Sequence, residues 1–162
     1  VTRVARFHNV YGPFGTWDGG REKAPAAICR KLIHAGTTGD HDIEVWGDGH
    51  QTRSFMYIDD CIKGIDMIMH SDIGEPINLG SSELTTINGL GDLVAEIAGI
   101  EVTKQHNLDA PKGVNGRNSD NTLIQQYLGW EPGITLRDGM HRTFDWIAQE
   151  YAAKNETRVI SS

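Results

Sequence analysis

Nothing in this chain builds the turn that cradles a dinucleotide. None of its 19 glycines opens a G-x-G-x-x-G or G-x-x-G-x-x-G run. Thr52 follows Gly47-x-Gly49, and Val94 follows Gly89-x-Gly91, where a third glycine belongs. A strand, glycine turn and helix that hold a pyrophosphate are therefore not expected. No lysine lies four residues after Tyr11, Tyr57, Tyr127 or Tyr151, so a Tyr-x-x-x-Lys acid/base pair is absent. Cysteine is scarce. Cys29 and Cys61 form no C-x-x-C pair, which predicts reduced, partly buried thiols and a cytoplasmic location. The seven histidines make no H-x-x-x-H and none sits at zinc-ligand spacing with the cysteines, so no metal is expected. Long apolar runs are missing as well; none approaches the ~18 residues of a membrane span, so no membrane association is expected. Basic charge is short too. Fifteen Lys and Arg against 22 Asp and Glu leave a net charge of −7. That argues against a nucleic-acid partner, which would require a basic face. It leaves room for a phosphorylated small ligand, because a few clustered cations create a local positive site.

What is present suits a globular domain, or part of one. The chain has 162 residues, 38% hydrophobic and 23% charged, enough to bury a core. Val1 to Asn9 alternate with Arg3, Arg6 and His8 and are no signal peptide. The start at Val1 rather than Met leads to the expectation of a fragment or processed product.

The most informative stretch is Arg6 to Lys31. It reads as the end of a strand (Val1 to Phe7), a loop broken by Gly12, Pro13, Gly15, Gly19 and Gly20, and then a helix. The loop ends in Arg21-Glu22-Lys23 at the mouth of that helix, a layout suited to an anion or sugar. The helix is predicted over Ala24 to Ala35, with Ile28, Leu32 and Ile33 on one face and Gly36 as its stop. Strands are predicted at Ile43 to Trp46 and Ser54 to Ile58. A helix follows, capped by Asp59, with Cys61, Ile62, Ile65, Ile68 and Met69 at helical spacing. Pro76 to Leu79 is a strand, Thr86 to Ala98 a helix and Val102 to Leu108 a strand. Asn121 to Leu128 is a helix stopped by Gly129. Thr135 and Asp138 have capping-box spacing ahead of a last helix to about Tyr151. Residues 153–162 are expected to be a frayed polar tail. The order of elements indicates an α/β chain.

Four motifs then carry a resemblance. R-F-H-N-V-Y-G-P (Arg6 to Pro13) and G-D-G-x-Q-T-R-S-F-x-Y-I-D-D (Gly47 to Asp60) resemble segments of extended short-chain dehydrogenase/reductases that act on nucleotide sugars. L-G-W-x-P (Leu128 to Pro132) and G-M-x-x-T-x-x-W-I (Gly139 to Ile147) are similar to the C-terminal signature of the same group. Two segments are narrower. G-T-W-x-G-G-R-E-K-A-P-A-A-x-C-R-K (Gly15 to Lys31) and G-V-x-G-R-N-S-D-N (Gly113 to Asn121) resemble the GDP-mannose 3,5-epimerase family. The fold so implied is the C-terminal substrate-binding part of the Rossmann-type extended fold, over residues 1–152, without the N-terminal NAD-binding half.

The resemblance also implies a chemistry. An unactivated sugar C–H is barely acidic. In the family, bound NAD⁺ oxidises carbon 4, and the ketone acidifies the protons at carbons 3 and 5. Removal of a proton from one face and its return on the other inverts the centre, and the hydride then returns. One acid/base group is a cysteine in the absent half. The other falls on Lys23, a role that partial desolvation favours by lowering a lysine's pKa. Substrate contacts fall on Asn9, Glu22, Lys23, Ala24, Lys31, Gln51, Thr52, Arg53 and Arg117. Arg53 and Arg117 suit the diphosphate, since guanidinium forks grip phosphate oxygens in pairs; Gln51 and Asn9 suit hydroxyls or amide edges. NAD is implied for the absent half, so this chain alone is not expected to bind it or to turn over substrate. A homodimer is implied for the full-length enzyme, with the main interface helices largely upstream.

The residues taken alone leave blander readings open. Lys23 is then a solvated cation near a helix start, where cations are disfavoured. Arg53 is an exposed cation beside Asp48, Asn9 a turn residue, Lys31 one face of a helix and Asp120 a helix cap. Trp17, Trp46, Trp130 and Trp146 are packing anchors. Two other functions also stay open: a different sugar-nucleotide 4-epimerase or dehydratase, and a non-catalytic binding remnant.

Overall fold

Short branched and aromatic runs alternate with amphipathic helices. The computed structural model describes residues 2–111 and 113–160. β1 (Ala5–Phe7) and β2 (Val10–Tyr11) lead through a long loop to α1 (Ala24–Thr38). Then come β3 (Asp42–Trp46), β4 (Thr52–Ser54), β5 (Met56–Tyr57), α2 (Ile58–Met69), β6 (Ile77–Leu79) and β7 (Leu84–Thr86). The chain ends with α3 (Ile87–Ala98), β8 (Thr103–Asn107), β9 (Gly116–Arg117), α4 (Thr122–Leu128) and α5 (Leu136–Ile160). Three parallel pairs form: β1 with β6, β2 with β5, and β3 with β8. Parallel neighbours need crossovers, here supplied by the helices, as in an α/β fold. A fourth grouping has β4 at its centre, antiparallel to β7 and parallel to β9.

α1 starts where Pro25 fits the first turn, since its missing N–H has no helical partner there. Its Ile28, Leu32 and Ala35 recur at helical spacing and are buried. It ends at Gly39, not Gly36. Gly39 has φ +76° and its N–H bonds Ala35 O at 2.8 Å. Gly36 sits under Ile100, and the Thr37 and Thr38 hydroxyls bond back to Ile33 O and His34 O, so the turn continues past it.

Two apolar clusters hold the elements. The first joins α1, α3 and α5 to β3 through Ile28, Leu32, Ile43, Leu90, Val94, Met140 and Ile147. Tyr11 and Tyr57 close it edge to face at 5.7 Å. The second packs Cys61 and Ile68 of α2 against Ile77, Leu79 and Ile124. Gly64 is required there: a Cβ would stand 2.4 Å from Leu79 Cδ1. Gly139 serves likewise in the first cluster. A Cβ there would lie 2.2 Å from the Tyr11 hydroxyl oxygen, which donates to Leu136 O at 3.3 Å. The first and last motifs of the chain thus meet through one missing methyl group.

Several expectations shift. The strand at Ser54 to Ile58 is two strands, broken at Phe55, and Ile58 opens α2. Tyr57, not Asp59, is the N-cap of α2; Asp59 lies in its first turn. Asp60 is turned inward, and its Oδ2 accepts Gly133 N–H and Ile134 N–H at 2.9 and 2.8 Å. Ile62, Ile65 and Met69 face outward. β7 and β9 are too short to carry a sequence period. Thr135 and Asp138 do exchange hydrogen bonds at the start of α5. α5 then runs to Ile160, past Tyr151 and through most of the segment expected to fray. Val1, Ser161 and Ser162 of those expectations lie outside the described residues. Among the described residues no helix is long and apolar enough to cross a membrane.

Candidate functional site

β4 is the centre of the site. Thr52 and Arg53 pair with Gly116 and Arg117 of β9 in parallel register. Gly116 lets the strands approach, since a Cβ there would sit 2.9 Å from Thr52 Oγ1. Partners in a ladder project to the same face of the pleat, so Arg53 and Arg117 stand side by side. The Arg53 fork is braced by backbone: Nη1 donates to Thr52 O and Nη2 to Val114 O, each at 2.7 Å. Arg117 is exposed. His8 feels it: burial, then the Arg117 charge, lower the His8 pKa from its ordinary value.

Two amide side chains border this strand. Asn9 has φ +21°, rare for a residue with a Cβ, and its Nδ2 donates to Ser54 O at 3.0 Å. Its own carbonyl accepts Met56 N–H at 3.0 Å, so it fixes the corner between β4 and β5. Gln51 is buried. Its Nε2 donates to Trp46 O at 2.9 Å, while its Oε1 is buried with no partner among the described residues. An unsatisfied buried acceptor is costly and points to an absent donor. The Ser54 hydroxyl, at the end of β4, is buried and also has no partner among the described residues.

The second group is the loop before α1. Lys23 is the helix N-cap with extended backbone (φ −79°, ψ 163°) and no side-chain cap bond. Its side chain is exposed and its carbonyl accepts Ala27 N–H at 2.9 Å. Ala24 begins the helix and packs on the first apolar cluster. Glu22 turns inward. Burial opposes its ionisation, yet bonds from its own amide, Arg30 and Gly20 hold its carboxyl below the ordinary glutamate value.

Lys31 stands apart from both groups. It lies two turns along α1 from Lys23, about 12 Å by helical rise. There it donates to Glu44 O at 2.6 Å and pairs with Glu44 Oε2 at 3.7 Å. The structure therefore gathers Asn9, Gln51, Thr52, Arg53 and Arg117 around β4, sets Glu22, Lys23 and Ala24 at the start of α1, and directs Lys31 to β3. Asn121, not Asp120, is the N-cap of α4; Asp120 stands one residue ahead of it and accepts Thr122 N–H at 3.0 Å. Trp46 is no packing anchor: it is 52% exposed, its indole N–H on Glu44. Cys29 is fully buried, with its thiol pushed up to about 12 by burial, which suits packing rather than nucleophilic chemistry.

The mouth of α1 does not fit a pyrophosphate. Gly19 and Gly20 have positive φ, but Arg21, Glu22 and Lys23 follow them, and Pro25 removes an amide from the helix mouth that a pyrophosphate would need. Among the described residues no group of three or more His, Cys, Asp or Glu is placed to hold a metal.

Comparison with known proteins adds three findings. The NAD dependent epimerase/dehydratase family pattern matches residues 2–80. The chain is 51% identical over 148 residues to GDP-mannose 3,5-epimerase 1 of Oryza sativa subsp. indica, covering 91% of this chain and 38% of the relative. It is 49% identical to GDP-mannose 3,5-epimerase of Arabidopsis thaliana at the same coverage. The chain thus spans about two-fifths of the length of these relatives. Among solved structures it is similar to UDP-glucose 4-epimerase of Thermotoga maritima with UDP-glucose. The TM-score is 0.81 at 28% identity, over 91% of this chain and 46% of that one.

Proposed function

We propose, since the chain belongs to the NAD dependent epimerase/dehydratase family, that it is the substrate-binding portion of a nucleotide-sugar epimerase most like GDP-mannose 3,5-epimerase. The observation that carries this reading is the side-by-side register of Arg53 and Arg117. Two guanidinium groups on one face of a strand pair repel unless an anion joins them, and a diphosphate offers oxygens to both forks. Gln51, with its unpartnered Oε1, and Asn9 border the same strand and suit the hydroxyl and amide edges of a nucleotide sugar. Lys23 is the group that moves a proton at a ring carbon next to the carbon 4 ketone. The oxidation and re-reduction at carbon 4 belong to an NAD-binding half that these residues do not supply. The R-E-K-A-P segment and the 51% identity favour this reading over a UDP-sugar 4-epimerase. We place the protein in the cytoplasm on its two free thiols, as part of a homodimeric enzyme.

The test is turnover by this chain co-expressed with the NAD-binding half of a full-length relative. The expected result is conversion of GDP-mannose with solvent deuterium entering at carbons 3 and 5. Inversion of UDP-glucose at carbon 4 instead would transfer the chain to the alternative.

A further inference from the structure

Two helices grip the loop that delivers Lys23. Arg30, nearly two turns into α1, reaches back and donates from Nη2 to Glu22 Oε1 at 2.8 Å. Gly20 N–H donates to the other oxygen, Oε2, at 2.8 Å. Both Glu22 oxygens are engaged, and its side chain is only 6% exposed. Arg30 Nε also stands 3.7 Å from Asp18 Oδ1, which accepts Gly19 N–H at 2.9 Å. Lys154 of α5 bonds Asp18 Oδ2 and lies over the Trp17 ring at 5.5 Å. Charge therefore alternates along Lys154, Asp18, Arg30 and Glu22. The line crosses from α5 to α1 and ends at the residue before Lys23.

We propose that Arg30 is a positioning residue for Lys23, and that Glu22 is the latch on which Arg30 closes rather than a contact to the ligand. Lys23 carries a long side chain with many rotamers. As the exposed N-cap it has no cap bond of its own, so its aim is set by its backbone. On one side that backbone is fixed by the first turn of α1. On the other it follows Gly19 and Gly20, both at positive φ and both intrinsically loose. The Arg30–Glu22 bond is what converts this loose approach into one geometry. The inference rests on the reading of Lys23 as an acid/base group.

A double-mutant cycle tests it in a full-length relative that carries the same segment, with substitutions at the positions matching Arg30 and Glu22. Arg30→Ala is expected to lower kcat about 10- to 100-fold, since small misplacement of a reacting group is costly, while KM stays within about twofold. Glu22→Gln should lose less, and the double variant should be no worse than Arg30→Ala alone, because the two act as one unit. Arg30→Lys should recover part of kcat. If Glu22 contacts the ligand instead, Glu22→Gln raises KM and its effect multiplies with that of Arg30→Ala; that result overturns the proposal. Amide hydrogen exchange over Gly19 to Lys23 in this chain reads the latch without turnover. Arg30→Ala should speed it and Lys23→Met should not. Unchanged exchange in Arg30→Ala, or faster exchange with unchanged kcat, also overturns the proposal. Intact turnover in Lys23→Met removes the acid/base reading, whereas the exchange result for the latch stands apart from it.

Discussion

Arg53 and Arg117 occupy one register position on the neighbouring strands β4 and β9. On the proposed reading this register offers two guanidinium groups to the diphosphate of a ligand. Arg53→Ala and Arg117→Ala are each expected to weaken nucleotide-sugar binding by about 1.5–3 kcal/mol, as for charge-assisted bonds. The loss should be similar for GDP and GDP-mannose, both of which carry the diphosphate. Calorimetric titration checks this. Losses confined to GDP-mannose would move the arginines to the hexose end.

Lys23 is tested by isotope rather than by rate alone. In a full-length relative, Ala at the matching position should abolish solvent-deuterium incorporation at one of the two ring carbons and leave hydride transfer at carbon 4 largely intact. Mass spectrometry of recovered sugar locates the label. Wild-type exchange at both carbons would reduce Lys23 to a cation near the ligand.

NAD⁺ titrated into this chain alone should give no saturable heat and no change in tryptophan fluorescence. Lys23 and Pro25 occupy the helix mouth that a pyrophosphate would need. Saturable binding in the micromolar range would reveal a cradle elsewhere in the chain.

Local signals in the sequence were readable because local bonds answer them. Gly129 adopts φ +58° at the end of α4, and Thr135 and Asp138 exchange bonds as their spacing predicts. Gly36 was read as the stop of α1, but the helix runs on to Gly39, with Gly36 packed under Ile100. The rest is non-local. Asp60 meets the Gly133 and Ile134 amides, and Glu83 accepts Leu136 N–H at 2.7 Å, across separations that no period reports. Arg30 lay inside the matched segment, yet no spacing rule names Glu22 as its partner, because Glu22 precedes the N-cap of α1 and Arg30 reaches back to it from nearly two turns into the helix. Within the site, residue types pointed to Arg53 and Arg117, while their register needed β9, which is two residues long.

The carboxyls of the loop predict a pH dependence. Asp18 is lowered chiefly by its bond from Lys154, and Glu22 is lowered despite burial by its own amide, Arg30 and Gly20. A carboxyl whose folded pKa is depressed contributes stability that is complete above its unfolded pKa and is lost as pH falls through the folded one. Both contributions should therefore fade from about pH 4 downward. Wild type should melt higher than Arg30→Met at neutral pH, and the gap between the two melting temperatures should narrow as pH falls below about 4. A constant gap across that range would mean that Arg30 stabilises by packing of its stem rather than by charge.

The isolated chain should self-associate. Ile62, Ile65 and Met69 lie on the outer side of α2, exposed by 59, 39 and 61%, and Val4 and Phe7 of the first strand region by 44 and 55%. β1 has β6 on one side and no strand on the other among the described residues. A parallel strand with one open edge and apolar neighbours is an aggregation hazard. Dye binding typical of exposed apolar surface and concentration-dependent sedimentation are expected, with no epimerase activity. Ile62→Gln combined with Met69→Gln should reduce both signals without lowering helix content, because those side chains contribute little to the inner face of α2. Co-expression with the NAD-binding half of a relative should do the same and restore turnover. A monodisperse, highly stable monomer with a cooperative melt would sink this account, because the exposed surfaces would then need no cover, and the reading as an independent binding module would lead.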